Sequence, residues 1–148
     1  MLTGKTVLEL GSGTGLLGCV AASLGGFKSL CMTDLKGLVK RIESTARENK
    51  VLREGVSVLP LCWGIEAEAL GVKKKAFAGG CPDLILCTDC VYKVGVPDLL
   101  VRTFLLLMGS NTTVLCATDS HNIEVLEEFE ERVGQEASLE MDKAPTDW

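Results

Sequence analysis

The sequence is poor in histidine and aromatic residues, and it has no long apolar run. It contains one histidine, two tryptophans, one tyrosine and four phenylalanines in 148 residues. No apolar run reaches the roughly 20 residues that span a bilayer, and the first residues, MLTGKTV, lack the charged start and apolar middle of a secretory signal. We therefore expect no membrane partner and a cytoplasmic location, with the nucleus as a second compartment.

A basic surface is also missing. The formal net charge is −5 and the pI is about 4.9, whereas binding to the phosphates of nucleic acids requires a basic face. We expect no nucleic-acid partner. Hydrophobic residues make up 47% of the chain, which is enough for a core, and the length predicts a single domain over residues 1–148 with a frayed end at 142–148.

Seven cysteines lie mostly inside apolar segments, which indicates free thiols in a reducing compartment. Cys87 and Cys90 form a C-x-x-C pair, but no second pair or histidine partner accompanies it to complete a zinc site. We predict a structural role for this pair and no bound metal.

The most informative stretch is VLELGSGTGLLG, residues 7–18, in which an apolar strand enters a glycine-rich turn and then a helical pattern. Glycine tolerates positive φ and has no Cβ, so such a turn brings backbone N–H groups at a helix N-terminus close to a nucleotide-like cofactor. The spacing of Gly13, Gly15 and Gly18 also fits the G-x-G-x-x-G turn of dinucleotide-binding folds, so an NAD-linked oxidoreductase is one interpretation. The predicted cofactor contacts in the turn are Gly11, Ser12, Gly13, Thr14 and Gly15.

An acid, Glu9, stands just before the first glycine of this turn. The pattern hydrophobic-Glu-hydrophobic-Gly-x-Gly-x-Gly resembles the first motif of the seven-strand S-adenosylmethionine (AdoMet) methyltransferases. Their cofactor is a cationic sulfonium with an amino acid tail, which suits a neighbouring acid better than a pyrophosphate would. The resemblance favours AdoMet over NAD.

Apolar segments of strand and helix period alternate along the rest of the chain. This alternation predicts an α/β, Rossmann-like fold with a mainly parallel sheet in the order 3-2-1-4-5, helices on both faces and a ligand at the carboxyl ends of the strands. An exposed, mobile connector is predicted over Gly71–Pro82, and a short sixth strand over Ala137–Met141. The main predicted strands are Thr6–Leu10, Ser29–Thr33, Val56–Leu61, Asp83–Thr88 and Thr112–Thr118, and the predicted helices are Thr14–Leu24, Leu38–Lys50, Pro97–Met108 and Ile123–Val133.

Candidate ligand residues follow several of these strands. Asp34 comes about 20 residues after the glycine turn, where nucleotide-binding folds place a carboxylate for ribose hydroxyls; the alternative is a cap for the next helix. Trp63 is equally well explained as an adenine wall or as core packing. Asp89 and Tyr92 follow strand four, and His121 follows strand five, where we interpret it as solvent-facing rather than as a base.

Four features together resemble the eukaryotic methyltransferase family 16 over residues 2–141: LTGKTVLELGSGTGLLG, the Asp34 position, the Trp-Gly after strand three and the Asp-x-x-Tyr after strand four. This resemblance implies transfer of a methyl group from AdoMet to a protein, most often to lysine, with S-adenosylhomocysteine as product. It implies a protein partner such as a chaperone, an ATPase or a translation factor. The implied cofactor contacts are Glu9, Gly11, Gly13, Asp34, Trp63 and Asp89.

The same resemblance places Asp89 and Tyr92 beside the lysine channel, where Asp89 would orient the ammonium group and Tyr92 would contact the amine. Members of the family have a segment before the glycine strand and a seventh strand, which this sequence lacks. We therefore expect a fold truncated at both ends, with an open apolar edge at strand five. A noncatalytic, AdoMet-binding isoform or fragment is the second interpretation.

Overall fold

The computed structural model describes residues 2–119 and 122–143. Strands and helices alternate in these residues, and none of the helices is long and apolar enough to cross a membrane. The strands are β1 (Thr6–Leu10), β2 (Ser29–Asp34), β3 (Val56–Pro60), β4 (Leu84–Thr88) and β5 (Thr113–Ala117). The helices are α1 (Leu16–Leu24), α2 (Val39–Glu48), α3 (Glu66–Ala76), α4 (Val96–Leu107) and α5 (Ile123–Gly134).

The strands form one parallel sheet in the order β3-β2-β1-β4-β5. The predicted fold class and strand order are thereby confirmed. β1 is central, with Leu8 paired to Cys31 on one side and to Ile85 on the other. Because all strands run in the same direction, the residues that follow β1, β2, β3 and β4 meet at one edge of the sheet.

Helices cover the two faces of the sheet with separate apolar layers. Leu8 and Ile85 face the layer formed with α3, α4 and α5, whereas the adjacent Val7 faces the layer formed with α1 and α2. This separation follows from the period of two along a strand, which sends successive side chains to opposite faces. An edge-to-face contact of Phe104 and Phe129, with ring centroids 6.5 Å apart, joins α4 to α5.

Strand bounds agree with the prediction to within one residue, but two helices begin later than predicted. α1 begins at Leu16 rather than Thr14, because Gly15 takes a left-handed conformation with φ of 83° as the N-cap. α2 is shorter than predicted at both ends: Leu38 is its N-cap, and Lys50 lies beyond the helix at a positive φ of 57°.

The prediction of a mobile connector over Gly71–Pro82 was wrong for its first half, which belongs to α3. Ala69 and Val72 of this helix are buried against the sheet layer. Acids occupy the first turn and three lysines, residues 73–75, occupy the last turn, an arrangement that the helix dipole favours at both ends. The glycines and lysines of this segment led to the prediction of a loop. The segment is helical because two small side chains are buried and because the charges at the helix ends are favourable.

The predicted strand over Ala137–Met141 does not form. The chain after α5 instead turns, with the Leu139 amide donating to the Glu136 carbonyl oxygen at 2.9 Å. Within the described residues β5 pairs only with β4, and Leu115 on it is 57% exposed, as expected for an open edge. The part of the predicted frayed end at 144–148 lies outside the described residues, as does His121.

A substitution at Gly71 tests the helical assignment of α3. A Cβ at this position would have no atom within 4 Å, so Gly71→Ala should raise the free energy of unfolding by about 0.5–1 kcal/mol, as expected for glycine replacement inside a helix. Gly79→Ala is the matched control, because its surroundings are equally open but its φ is +85°; it should lower the same quantity by about 1 kcal/mol. Urea unfolding measures both, and no gain from Gly71→Ala would contradict the helix.

Candidate functional site

The turn between β1 and α1 reverses direction within five residues. Gly11, Gly13 and Gly15 all have left-handed φ values, of 66°, 55° and 83°. The Ser12 amide donates to the Thr33 carbonyl oxygen on β2 at 3.0 Å, and the Gly15 amide donates to the Ser12 carbonyl oxygen at 2.6 Å. The turn is therefore tied to the neighbouring strand as well as to itself.

Glu9 is a buried acid beneath this turn, with 2% of its surface exposed. One carboxylate oxygen accepts from the Ser12 hydroxyl at 2.6 Å, and the other accepts from the Gly18 amide of α1 at 3.1 Å. Burial raises the pKa of Glu9 above its ordinary value of 4.5 and the nearby Asp34 adds to this, while the hydrogen bonds from Ser12 and Gly18 oppose the shift. The side chain thus links strand, turn and helix, and its predicted contact with a cofactor stays a prediction.

Asp34 ends β2 and reaches the same turn from the adjacent strand. One of its carboxylate oxygens accepts from the Gly13 amide at 2.7 Å, and the other accepts from the Leu35 amide at 2.7 Å. The alternative of a helix cap was wrong, since Leu38 is the N-cap of α2. An ionised carboxylate has about four acceptor positions, so two remain after these bonds for ligand hydroxyls.

An open cleft of about 580 Å³ lies beside the turn. It brings together six of the predicted site residues, Glu9, Gly11, Ser12, Gly13, Thr14 and Asp89. It also contains four residues that we did not predict, Leu16, Leu17, Val20 and Thr88. The sequence could have indicated Leu16, Leu17 and Val20, because α1 contains no charged residue on any face and so presents an apolar surface to the cleft.

Gly13 is the position at which the turn is open to a ligand. No atom lies within 4 Å of where its Cβ would stand, whereas a Cβ on Gly11 would lie 2.9 Å from the Cys90 sulfur and one on Gly15 would lie 3.2 Å from Ile42. The N-cap of α1, Gly15, has no side chain; Glu9 accepts from the Gly18 amide, but the amides of Leu16 and Leu17 have no partner within their own helix. Bare backbone and uncapped amides together fit a small ligand that carries a carboxylate.

Trp63 follows β3 and lies beside Gly11 of the turn. An atom of its indole ring lies 3.0 Å from the Cβ position of Gly11, and the side chain also packs on the apolar layer under α3 and α4. The lining of the cleft includes Gly11 and Gly13. It does not include Trp63, which lies next to Gly11, or Asp34, which bonds to Gly13. Gly15, the N-cap of α1, is also outside that lining.

Asp89 stands at the rim of the cleft with a positive φ of 53°, and its amide donates to the Ala117 carbonyl oxygen at 2.9 Å. Left-handed conformations of residues other than glycine cost energy and concentrate at functional sites. Tyr92 is 60% exposed and lies outside the cleft lining, so of the two residues predicted beside the lysine channel only Asp89 lines this cleft, and the role of Tyr92 stays a prediction.

The C-x-x-C pair is packed inside the protein. Cys87 and Cys90 are buried free thiols, and the Cys90 thiol donates to the Leu10 carbonyl oxygen at 3.4 Å. The neighbouring thiols of Cys116 on β5 and of Cys90, together with burial, raise the pKa of Cys87. Among residues 2–119 and 122–143, no group of three or more His, Cys, Asp and Glu side chains is arranged to hold a metal ion.

Comparison with known proteins identifies similar chains. A family model described as lysine methyltransferase matches residues 1–134. EEF1A lysine methyltransferase 3 of Xenopus tropicalis is 30% identical over 115 residues, which are 78% of this chain and 47% of that protein. Protein N-lysine methyltransferase METTL21A of Danio rerio is 34% identical over 116 residues, which are 77% of this chain and 49% of that protein.

The fold also matches solved structures. A SAM-dependent methyltransferase from Thiobacillus denitrificans, solved in complex with S-adenosyl-L-homocysteine, aligns with a TM-score of 0.53 and 18% identity over 78% of this chain and 42% of that one. This likeness shows the fold alone. The chain spans about half the length of the curated relatives that it matches.

The ionisation of Glu9 should make stability depend on pH. Because its pKa is raised in the folded protein, its contribution to the free energy of unfolding is fully present below the ordinary value of 4.5 and is lost as pH rises through the folded pKa. Glu9→Gln keeps a group that can bond both Ser12 and Gly18 but does not ionise. We expect the wild type to lose stability relative to Glu9→Gln as pH rises from about 4.5 towards neutral pH.

Thermal unfolding of both proteins across this pH range measures the difference. Glu124→Gln, on the exposed face of α5, is the control and should give a curve parallel to that of the wild type. Parallel curves for Glu9→Gln and the wild type would contradict a raised pKa at this position.

Proposed function

This chain belongs to the lysine methyltransferase family, and from that premise we propose that it binds AdoMet and transfers the methyl group to a lysine side chain of a protein. The observation that carries the proposal is the open backbone at Gly13, which Asp34 tethers from the neighbouring strand, just before the first-turn amides of Leu16 and Leu17. A ligand with an amino acid tail and a ribose has suitable partners on both sides of Gly13: the first-turn amides of α1 for the tail and the Asp34 carboxylate for the ribose.

The residues present fit the separate parts of this cofactor. The tail carboxylate suits the first turn of α1 beside Gly13, and the two remaining acceptor positions of Asp34 suit the ribose hydroxyls. Trp63, one strand further along the same edge, offers an aromatic surface for the purine. Glu9 acts beneath these contacts by holding the turn through Ser12 and Gly18.

When bound, the cofactor supplies a methyl group activated by a positively charged sulfur. The protein must then present the lysine as a neutral amine in line with that group; because free lysine has a pKa of about 10.4, the ammonium group must first lose one proton to solvent. The Asp89 carboxylate, at the rim of the cleft, orients the incoming ammonium group and favours its approach. The hydroxyl of Tyr92, three residues later, contacts the amine once a substrate protein covers this exposed side chain.

We propose a protein substrate of the translation machinery as the first to test. The support is the name of the Xenopus tropicalis relative, EEF1A lysine methyltransferase 3. We propose a cytoplasmic location, with the nucleus as a second compartment, because seven free cysteines suit a reducing compartment.

A second function, AdoMet binding without transfer, is favoured by one observation. The cleft contains most of the predicted cofactor residues, whereas Tyr92, one of the two predicted catalytic residues, lies outside its lining. In that case AdoMet would bind to the 148-residue chain, but incubation with labelled AdoMet and either EEF1A or a cell lysate would label no protein.

Paired substitutions of Asp34 and Asp89 separate binding from transfer. Asp34→Asn places an amide N–H against one of the two backbone N–H groups, so AdoMet affinity should fall about tenfold or more. Asp89→Asn retains a residue that tolerates the left-handed conformation, so affinity should stay within about threefold while the methylation rate falls by a factor of ~10². Calorimetry measures affinity, and transfer of a labelled methyl group measures rate.

Three outcomes would count against this assignment. Equal loss of affinity in both variants would refute the division of roles. No AdoMet binding by the wild type would overturn the proposed function. Thermal stabilisation by NADH alone would support the dinucleotide interpretation instead.

A further inference from the structure

The position of Trp63 depends on the loop between β3 and α3. Its indole contacts Gly11 at the edge where the ligand-binding turn begins. The side chain of a loop residue is only as well placed as the backbone that carries it. The contacts that hold this loop are therefore part of the proposed purine site.

Two side chains from different helices bind the loop on either side of Trp63. The Glu68 carboxylate of α3 accepts from the Cys62 amide at 2.6 Å, and this bond is exposed to solvent. The Thr103 hydroxyl of α4 accepts from the Gly64 amide at 2.8 Å, and this bond is buried. Water competes with the first bond but not with the second, so the Thr103 bond is the stronger restraint.

Thr103 is an anomalous residue for its position in α4. It is fully buried, and the other buried residues of this helix all have apolar side chains: Pro97, Leu100, Val101, Phe104 and Leu107. Its hydroxyl donates to the Leu99 carbonyl oxygen at 2.7 Å and so has a partner for both its donor and its acceptor function. Donation to the carbonyl four residues back contributes nothing to helix stability, so the contact with Gly64 is what the hydroxyl adds.

The backbone of Gly64 also packs closely on α4. Its φ is +78°, and a Cβ there would lie 2.9 Å from a methyl carbon of Leu99. The loop therefore approaches α4 as closely as a backbone without a side chain allows. Its conformation is restrained by both the hydrogen bond and this packing.

We propose that Thr103 is a positioning residue for cofactor binding: its buried hydroxyl anchors the Gly64 amide and thereby holds the Trp63 indole against Gly11, where the purine ring would lie. The proposal rests on the proposed function for the nature of the ligand. α4 starts immediately after the segment that contains Asp89 and Tyr92, so the same helix supports the cofactor side and the substrate side of the site.

The test replaces Thr103 with valine, which has nearly the same shape but no hydroxyl. Thr45→Val is the matched control, because the Thr45 hydroxyl makes the same bond four residues back, to Arg41 at 3.1 Å, and holds no loop. Both variants are made with Trp148→Phe, which leaves Trp63 as the single tryptophan. AdoMet affinity is measured by calorimetry, and the exposure of Trp63 by its fluorescence emission and by acrylamide quenching.

We expect Thr103→Val to weaken AdoMet binding about tenfold and to make Trp63 more accessible to acrylamide in the ligand-free protein. Thr45→Val should leave the AdoMet affinity and the acrylamide quenching of Trp63 within about twofold of the values for the Trp148→Phe protein. Thr103→Ser restores the hydroxyl and should recover most of the affinity. Thr103→Val with lower stability but unchanged emission, quenching and affinity would overturn the proposal.

Hydrogen exchange of the Gly64 amide in the unsubstituted protein supplies an independent readout that needs no variant to fold. Protection equal to that of the α4 interior is expected, and rapid exchange would overturn the proposal. If the wild type binds no AdoMet, the proposed function fails. Trp63 quenching and Gly64 exchange would still decide whether Thr103 anchors the loop.

Discussion

Two carboxylates on neighbouring strands hold the glycine turn in shape, and the rest of the site depends on this restraint. Glu9 lies beneath the turn and accepts from Ser12 and from the Gly18 amide, while Asp34 reaches across and accepts from the Gly13 amide. Burying an acid is costly, which is why the pKa of Glu9 is raised, but its hydrogen bonds to the turn offset part of that cost. The outcome is a glycine backbone in left-handed conformations that is open to a ligand at Gly13, in the lining of the cleft.

The parallel sheet makes this arrangement available. Asp34 reaches Gly13 only because β1 and β2 are adjacent and end at the same level, with Leu10 paired to Thr33. Trp63 and Asp89 reach the same edge from β3 and β4. The glycine turn thus acquires partners for separate parts of one ligand without any long excursion of the chain, which is the reason ligands bind at this edge of such folds.

Much of this could be predicted from residue order. The apolar run before Gly11 and the alternation of apolar strands with helical patterns predict a Rossmann-like sheet with a glycine turn after β1, and those predictions were correct because they depend on local pattern. The helix over Glu66–Ala76 was missed because its stability comes from burial of Ala69 and Val72 against a sheet that is distant in sequence. The strand over Ala137–Met141 was expected from pattern but finds no partner to pair with in the described residues.

The sequence by itself determined the fold class, the position of the turn and the identity of the acids around it, since each is recorded in spacing along the chain. Only the tertiary structure decided what those acids do. In the folded protein Glu9 points inward under the turn and Asp34 accepts from the Gly13 amide. The cleft lies against an uncharged face of α1, and Tyr92 is outside the cleft lining. The tertiary structure also set a buried hydroxyl of α4 beneath the Trp63 loop, 39 residues away in sequence. The direction of a side chain depends on which neighbours exclude water from it, and those neighbours are assembled only when the helices pack on the sheet.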